Sequence, residues 1–282
     1  MANTYPGEKL LLKVIGDLND FLPYLVLVGG WVPYIYAKYV WKNAANLAVT
    51  TADIDFGVSS KDYKGKESIV SCVRRLGYAE HHVSMDRLIP FVPVAKDTNG
   101  LLKAEVKFIA DPKLSKNIRD KIVGREIKIN EIENFGILME SVAAVSINGY
   151  KIQVPAELIF IFHKLLTFIQ RENKEKLRKD LYYAYYMLRF CPDSEELAKK
   201  VKSLINDKTE GKSVNHNIRQ YFNSPDSQGS VLIECIEGED EIFGINSKKD
   251  LSKALKIGYM NKNIELIDRP KLIRLIRQVE KT

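Results

Sequence analysis

Apolar residues recur at helical spacing from Glu8 to Phe21, at Leu11, Val14, Ile15, Leu18 and Phe21, and predict an amphipathic helix ahead of Pro23. The unbroken apolar run Tyr24–Val28 predicts a buried strand that stops at Gly29-Gly30. Trp31–Trp41 reads as a helix with Pro33 near its first turn, where a missing N–H is harmless, and Ala44–Thr51 as a connection. A second strand follows over Asp53–Val58, then a helix over Lys66–Leu76 stopped by Gly77. Two further apolar runs, Arg87–Val94 and Leu101–Ile109, flank Asn99-Gly100, a strong hairpin turn signal. Ile118–Lys128 and Ile132–Leu138 fit either a helix or a pair of short strands. Val142–Ser146 and Tyr150–Val154 around Asn148-Gly149 predict a second hairpin.

The pattern changes character at Pro155. Ala156–Arg171 carries a long apolar stripe, Glu172–Arg189 continues in helical register, and Glu195–Leu204, Ser213–Phe222, Ser247–Leu255 and Arg269–Val279 predict further helices. Ser224–Gly229 reads as a surface turn, and Glu237–Glu241 as a solvated acidic loop. Helical spacing assigns much of Tyr182–Tyr186 to packing rather than to base stacking. The chain therefore divides into an α/β (α+β) domain over 1–154 and a mainly helical domain over 155–282, sizes that 282 residues with 45% apolar content accommodate.

Composition narrows the function classes. Cys72, Cys191 and Cys235 are odd in number and widely spaced, so they predict reduced thiols rather than a disulfide framework or zinc site. Neither a leader nor a bilayer-length apolar run is present, which predicts a cytoplasmic protein without a membrane partner. The formal net charge is +7, and the residues from Lys151 onward hold 24 lysines and arginines against 19 acids, so +5 of that excess lies there. A polyanion would be met mainly by the second half. His81 and His82 point apart on a strand and His163 and His216 lack partners at metal spacing, so structural or surface roles are expected for all four.

The candidate chemistry lies where the first two strands end and begin. A strand has period two, so Asp53 and Asp55 project to one side while Ile54 and Phe56 face the other. Two such carboxylates repel unless a cation lies between them, and hard oxygen ligands suit Mg²⁺. Gly29 and Gly30, lacking Cβ atoms, let backbone approach a phosphate ahead of the next helix. Along the later strand, Leu102, Ala104, Val106 and Phe108 share one face and Lys103, Glu105, Lys107 and Ile109 the other, which makes Glu105 the sole acid of that strand. Asp111 has the same parity but falls beyond the strand's expected end.

An apolar strand, Gly-Gly, a helix and then Asp-x-Asp resembles the polymerase-beta superfamily of nucleotidyltransferases. That resemblance implies a mixed sheet flanked by helices, three carboxylates holding two Mg²⁺ ions, and transfer of a nucleoside monophosphate from a nucleoside triphosphate (NTP). Ala104-Glu105-Val106 is similar to the family's third carboxylate, an acid between apolar residues, with Asp111 as its rival. Further along, Val154-Pro155-Ala156-Glu157-Leu158, His163-Lys164-Leu165-Leu166, Arg171 and Arg178-Lys179-Asp180-Leu181 resemble the type IV toxin nucleotidyltransferases of abortive-infection systems. The likeness covers roughly residues 24 to 183. It implies nucleotide contacts for Gly29, Gly30, Thr51, Lys164, Lys179 and Asp180, and metal ligation by Asp53, Asp55 and Glu105.

Two departures stand out. Those toxins often carry Arg-x-Thr before the Asp-x-Asp, whereas this chain has Val49 and retains Thr51; and Glu105 replaces the more common Asp. The resemblance implies an Mg²⁺-dependent enzyme acting on a macromolecular acceptor, tRNA or a protein hydroxyl, as a toxin paired with an antitoxin. Transfer to a small aminoglycoside-type acceptor is the alternative enzyme class, which the basic balance disfavours. A catalytically silent nucleotide- or RNA-binding module is the alternative outside enzymes.

Overall fold

The computed structural model describes residues 6–43, 48, 51, 53–92, 104–224 and 226–238. The chain separates into two compact units, one formed by Met1–Val32 with Thr50–Pro155 and the other by Pro33–Val49 with Ala156–Thr282.

The first unit opens with α1 (Pro6–Asp17), shorter than the sequence expectation because the chain tightens into a 3-10 turn over Asn19–Tyr24 that contains Pro23. Strand β1 (Leu25–Val28) follows and ends at the Gly29-Gly30 turn. The single-turn helix α2 (Trp31–Ile35) leads out of this unit. Strand β2 (Ile54–Val58) begins one residue after Asp53, so Asp53 lies in the bend before the strand rather than within it. Next come α3 (Ile69–Arg75), β3 (Ala79–Ser84), β4 (Arg87–Val92) and β5 (Ala104–Ala110). The ambiguous stretch resolves as α4 (Lys116–Ile122), β6 (Ile129–Glu131) and the one-turn α5 (Gly136–Met139). The hairpin β7 (Val142–Ile147) and β8 (Tyr150–Pro155) closes the unit. Asn148 and Gly149 both have positive φ, 47° and 86°, the twist that a two-residue hairpin turn requires.

The main sheet is mixed, with order β1-β2-β5-β4-β3 and β6 paired to β5. β2 runs antiparallel to β1 and parallel to β5, while β4 is antiparallel to both β5 and β3. The register sets Val28 opposite Asp55 and Asp55 opposite Lys107, and one residue on it sets Leu27 opposite Phe56 and Phe56 opposite Phe108. Period two therefore divides these strands into a dry face and a wet one. Ile54, Phe56, Val58, Ala104, Val106, Phe108 and Ala110 are buried, and the Phe56 and Phe108 rings stack at 6.2 Å. Burying each phenylalanine contributes roughly 1.5–3 kcal/mol, enough to resist a one-residue slip that would turn the charged positions inward. The expected alternation of β5 holds from Ala104 onward; its anticipated start at 101–103 and the Asn99-Gly100 turn lie outside the described residues. The strand on which His81 and His82 were expected is β3; its bounds could not be read from an apolar run, because its four final residues are exposed.

The second unit holds α6 (Glu157–Thr167), α7 (Lys174–Phe190), α8 (Ser194–Asp207), α9 (Gly211–Tyr221) and α10 (Gln228–Gly238). The expected continuity between α6 and α7 is broken by a 3-10 turn at Phe168–Gln170 and by Asn173, whose side chain accepts from the N–H groups of Glu175 and Lys176 and starts a fresh helix. Asn217 of α9 donates to the terminal carbonyls of α6, Leu165 and Leu166, at 3.0 and 3.1 Å. Residues 36–40 form a π-helical turn, closed by Trp41 N–H donating to the Tyr36 carbonyl at 2.7 Å. The indole that follows explains the wider turn: Trp41 Nε1 donates to Glu157 at 2.5 Å and its ring lies over Tyr186. Helix α10 overlaps the end of the expected turn at 228–229 and the start of the expected acidic loop at 237–238; the stretch between carried no expectation. The helices expected at 247–255 and 269–279 lie outside the described residues, as do residues 239–241 of the acidic run and the Cys235 side chain. Tyr182, Tyr183, Tyr185 and Tyr186 are all buried, which favours packing over base stacking. Cys72 and Cys191 are free thiols. No helix among the described residues is long and apolar enough to cross a membrane.

Candidate active site

The wet face of the first unit's sheet carries its charge where β1 ends and β2 and β5 begin. Two residues past Asp55 that face closes: a Cβ on Gly57 would meet the Phe135 ring at 2.8 Å, so the α5 region covers the sheet there. What remains open is the row of Asp53, Asp55, Glu105 and Lys107.

Lys107 is the centre of this row. Its ammonium lies 2.5 Å from Asp53 Oδ2 and 2.9 Å from Glu105 Oε2, and its side chain is 24% exposed. The lysine was visible on the same strand face as Glu105, but strand parity cannot reveal that it would lie between that acid and Asp53. Burial alone would lower the Lys107 pKa, yet hydrogen bonds and charge from Asp53 and Glu105 outweigh it and hold the ammonium above the usual lysine value. For Glu105, burial pushes upward, and Lys107 followed by His81 outweighs it, so the carboxyl titrates below the usual glutamate range. His81 Nδ1 is 3.7 Å from Glu105 Oε1, reaching across from β3.

The bend ahead of β2 is pinned by side chains. Trp31 Nε1 donates to the Asp53 carbonyl at 3.1 Å, and Thr51 Oγ1 accepts from the Asp53 N–H at 3.3 Å. Thr51 thus positions Asp53. Asp55 stands against the diglycine turn, where a Cβ on Gly29 would come within 2.5 Å of its Oδ2. Gly29 has φ +72°. Gly29→Ala therefore faces two penalties, a left-handed backbone costing about 1–2 kcal/mol and displacement of the Asp55 carboxylate. Expected are a comparable loss in urea-unfolding stability and a loss of any activity that needs Asp55; an alanine variant unchanged in both would remove Gly29 from the site.

Asp111, the rival third carboxylate, is occupied elsewhere: it accepts from Gly136 N–H at 2.7 Å and Lys113 N–H at 2.9 Å, which anchors the two loops after β5 and β6. Glu105 is the acid joined to Asp53. Of the three carboxylates that the resemblance implies, Asp53 and Glu105 share Lys107 and Asp55 lies beside Gly29; among the described residues no group of three or more His, Cys, Asp or Glu is placed to hold a metal ion. In donor chemistry the residues still fit a divalent cation, because carboxylate oxygens of Asp53 and Glu105 already converge on one positive centre and Asp55 adds a third acid on the same face.

The remaining expected nucleotide contacts belong to the second unit. Lys164 of α6 and Asp180 of α7 form a buried ion pair, and Arg171 Nε donates to the other Asp180 oxygen at 2.8 Å. The Lys164 ammonium also lies over the Phe160 and Tyr183 rings, at 5.6 and 5.8 Å. Burial would raise the Asp180 pKa, but the two cations outweigh it and keep the carboxylate ionised well below its usual range. Lys179 is paired with Glu175 at 3.0 Å, one helical turn back. Beside this group, burial and then the Lys164 charge push His163 down to about 3. A histidine held neutral in the fold and titrating near 6.5 when unfolded contributes stability that is complete above pH 6.5 and is lost as pH falls from 6.5 towards 3. About 2 kcal/mol is expected to disappear between pH 7 and pH 5. Urea titrations at the two pH values check this, since His163→Phe should flatten the difference; an unchanged difference would assign it to other groups.

No protein-family model matches the sequence, and no curated protein matches it. Among solved structures, an antigenic nucleotidyltransferase-like protein from Paracoccidioides brasiliensis is similar at 13% identity and a TM-score of 0.41, over 73% of this chain and 92% of that one.

Proposed function

We propose that this protein is a magnesium-dependent nucleotidyltransferase that moves a nucleoside monophosphate from an NTP to a macromolecular acceptor, tRNA or a protein hydroxyl, as a toxin held in check by an antitoxin. The observation that carries this reading is the convergence of Asp53 and Glu105 on one cationic centre, with Asp55 beside a positive-φ glycine turn. Magnesium bound by Asp53, Asp55 and Glu105 would supply Lewis-acid neutralisation of the triphosphate and of the attacking hydroxyl. The chain's own contribution is to orient and to stabilise. Gly29 and Gly30 would hold the phosphates through backbone N–H groups, at a turn where Gly29 leaves no room for a side chain. The acceptor oxygen bonds to the α-phosphorus, the bond from that phosphorus to the α–β bridging oxygen breaks, and pyrophosphate leaves. The hydroxyl proton passes to Glu105. Within the second unit, Asp180 holds Lys164 and Glu175 holds Lys179. The basic excess of the second half suits a polyanionic acceptor such as tRNA.

A silent nucleotide- or RNA-binding module is the second reading, favoured by the ammonium of Lys107 lying where a catalytic cation belongs. Incubation with each α-labelled NTP and Mg²⁺, first with total tRNA and then with protein extract, separates the two. Divalent-dependent transfer of label to one acceptor class is expected. Nucleotide binding without transfer to either class would favour the silent module.

A further inference from the structure

The Asp53–Lys107–Glu105 arrangement has a consequence for when a metal can bind. The two carboxylates come from different strands, Glu105 from β5 and Asp53 from the bend before β2, and the lysine that joins them stands opposite Asp55 in the register. With Asp55 alongside, three acids and one base occupy this row. Without a cation the acids repel one another, and an ammonium bound at 2.5 and 2.9 Å removes most of that repulsion from within the chain. A divalent ion arriving alone must displace it and leave Lys107 without an anionic partner in a half-buried position. A metal arriving with a triphosphate meets a different balance. The polyphosphate offers the displaced ammonium a new anion, and lysine's flexible four-carbon stem and rotatable donors let it exchange one oxygen ligand for another.

We infer that Lys107 is an internal counter-ion that competes with the divalent cation for Asp53 and Glu105, so that metal binds weakly until a nucleoside triphosphate draws the ammonium away. This rests on the metal-assisted reading above and adds a positioning residue to it. The device makes metal and nucleotide binding mutually dependent, and linkage requires the coupling to be equal in both directions. It also keeps the acids together in the absence of both ligands.

The test is titration of Mn²⁺, followed by its electron paramagnetic resonance signal, into the full-length wild-type protein and the neutral variants Lys107→Met and Lys107→Gln. Each is measured with and without an NTP analogue carrying a methylene bridge between the α- and β-phosphorus atoms, and circular dichroism melts establish that each variant is folded. Without nucleotide, both neutral variants are expected to bind Mn²⁺ at least about tenfold more tightly than wild type, and Lys107→Arg, which keeps the charge, to stay weak. The analogue should tighten Mn²⁺ binding about tenfold or more in the wild type and much less in the neutral variants. Asp53→Asn in the Lys107→Met background should cancel the gain. If the neutral variants bind no more tightly while Asp53→Asn still abolishes binding, the competition is refuted and the metal site stands. If no variant binds Mn²⁺ even with the analogue, both the competition and the metal-assisted reading fall.

Discussion

Asp55→Asn is expected to lower nucleotidyl transfer by at least about 10³-fold while leaving the fold intact. The amide is nearly isosteric, so the close approach to the diglycine turn, where a Cβ added to Gly29 would lie 2.5 Å from Oδ2, keeps its shape. What disappears is an anionic oxygen. Magnesium demands near-ideal geometry from hard oxygen ligands, and an amide oxygen is a weaker donor. Removing one charge from a face that also bears Asp53 and Glu105 relieves like-charge repulsion, so stability should change by less than about 1 kcal/mol. Transfer of label from an α-labelled NTP measures the first quantity and urea unfolding the second. Transfer at the wild-type rate would take Asp55 out of the chemistry. A collapse of stability together with activity would make it a folding residue instead.

Asp180→Ala should destabilise the second unit by about 3–5 kcal/mol. The carboxylate is bonded to both Lys164 and Arg171 and is almost wholly buried, so its loss leaves the Lys164 ammonium in an apolar surround between the Phe160 and Tyr183 rings. Arg171, one-third exposed, can turn to solvent; Lys164 cannot do so without opening the helix pair. Replacing the pair together, Lys164→Met with Asp180→Leu, should recover most of the loss, because two apolar side chains of similar size need no partner. Urea unfolding followed by the fluorescence of Trp41, which stacks on Tyr186 in this unit, reads the change. A single variant as stable as wild type would show that the pair carries no net energy.

Local pattern settled much of the first unit. β1, β2 and the β7–β8 hairpin follow from runs of apolar residues and from Asn148-Gly149, whose positive φ angles suit a type I′ turn. The alternation of β5 placed Glu105 and Lys107 on the wet face before any pairing was known, because a two-residue period is a property of one strand. The helical character after Pro155 was equally legible, as its apolar stripes repeat within single helices. The division of 156–189 was less so, since the Asn173 cap lies inside an otherwise helical register. The π-helical turn at 36–40 was hidden for a different reason. It depends on Trp41 meeting Glu157, 116 positions away, and no local spacing encodes that partner.

The candidate site divides along the same line. By itself the sequence determined which residues could serve: a diglycine turn, two alternating aspartates and a strand bearing one acid, all read from neighbours in the chain. Only the tertiary structure decided how they meet. Parallel pairing of β2 with β5 set Asp55 opposite Lys107, brought the Lys107 ammonium to Asp53 across 54 positions and joined Glu105 to it, while Asp111 was spent on two loop N–H groups. The physical reason is that strand register is selected by burial of Phe56, Val106 and Phe108 on the opposite face, so the charge neighbours in the site are chosen by a core they never touch.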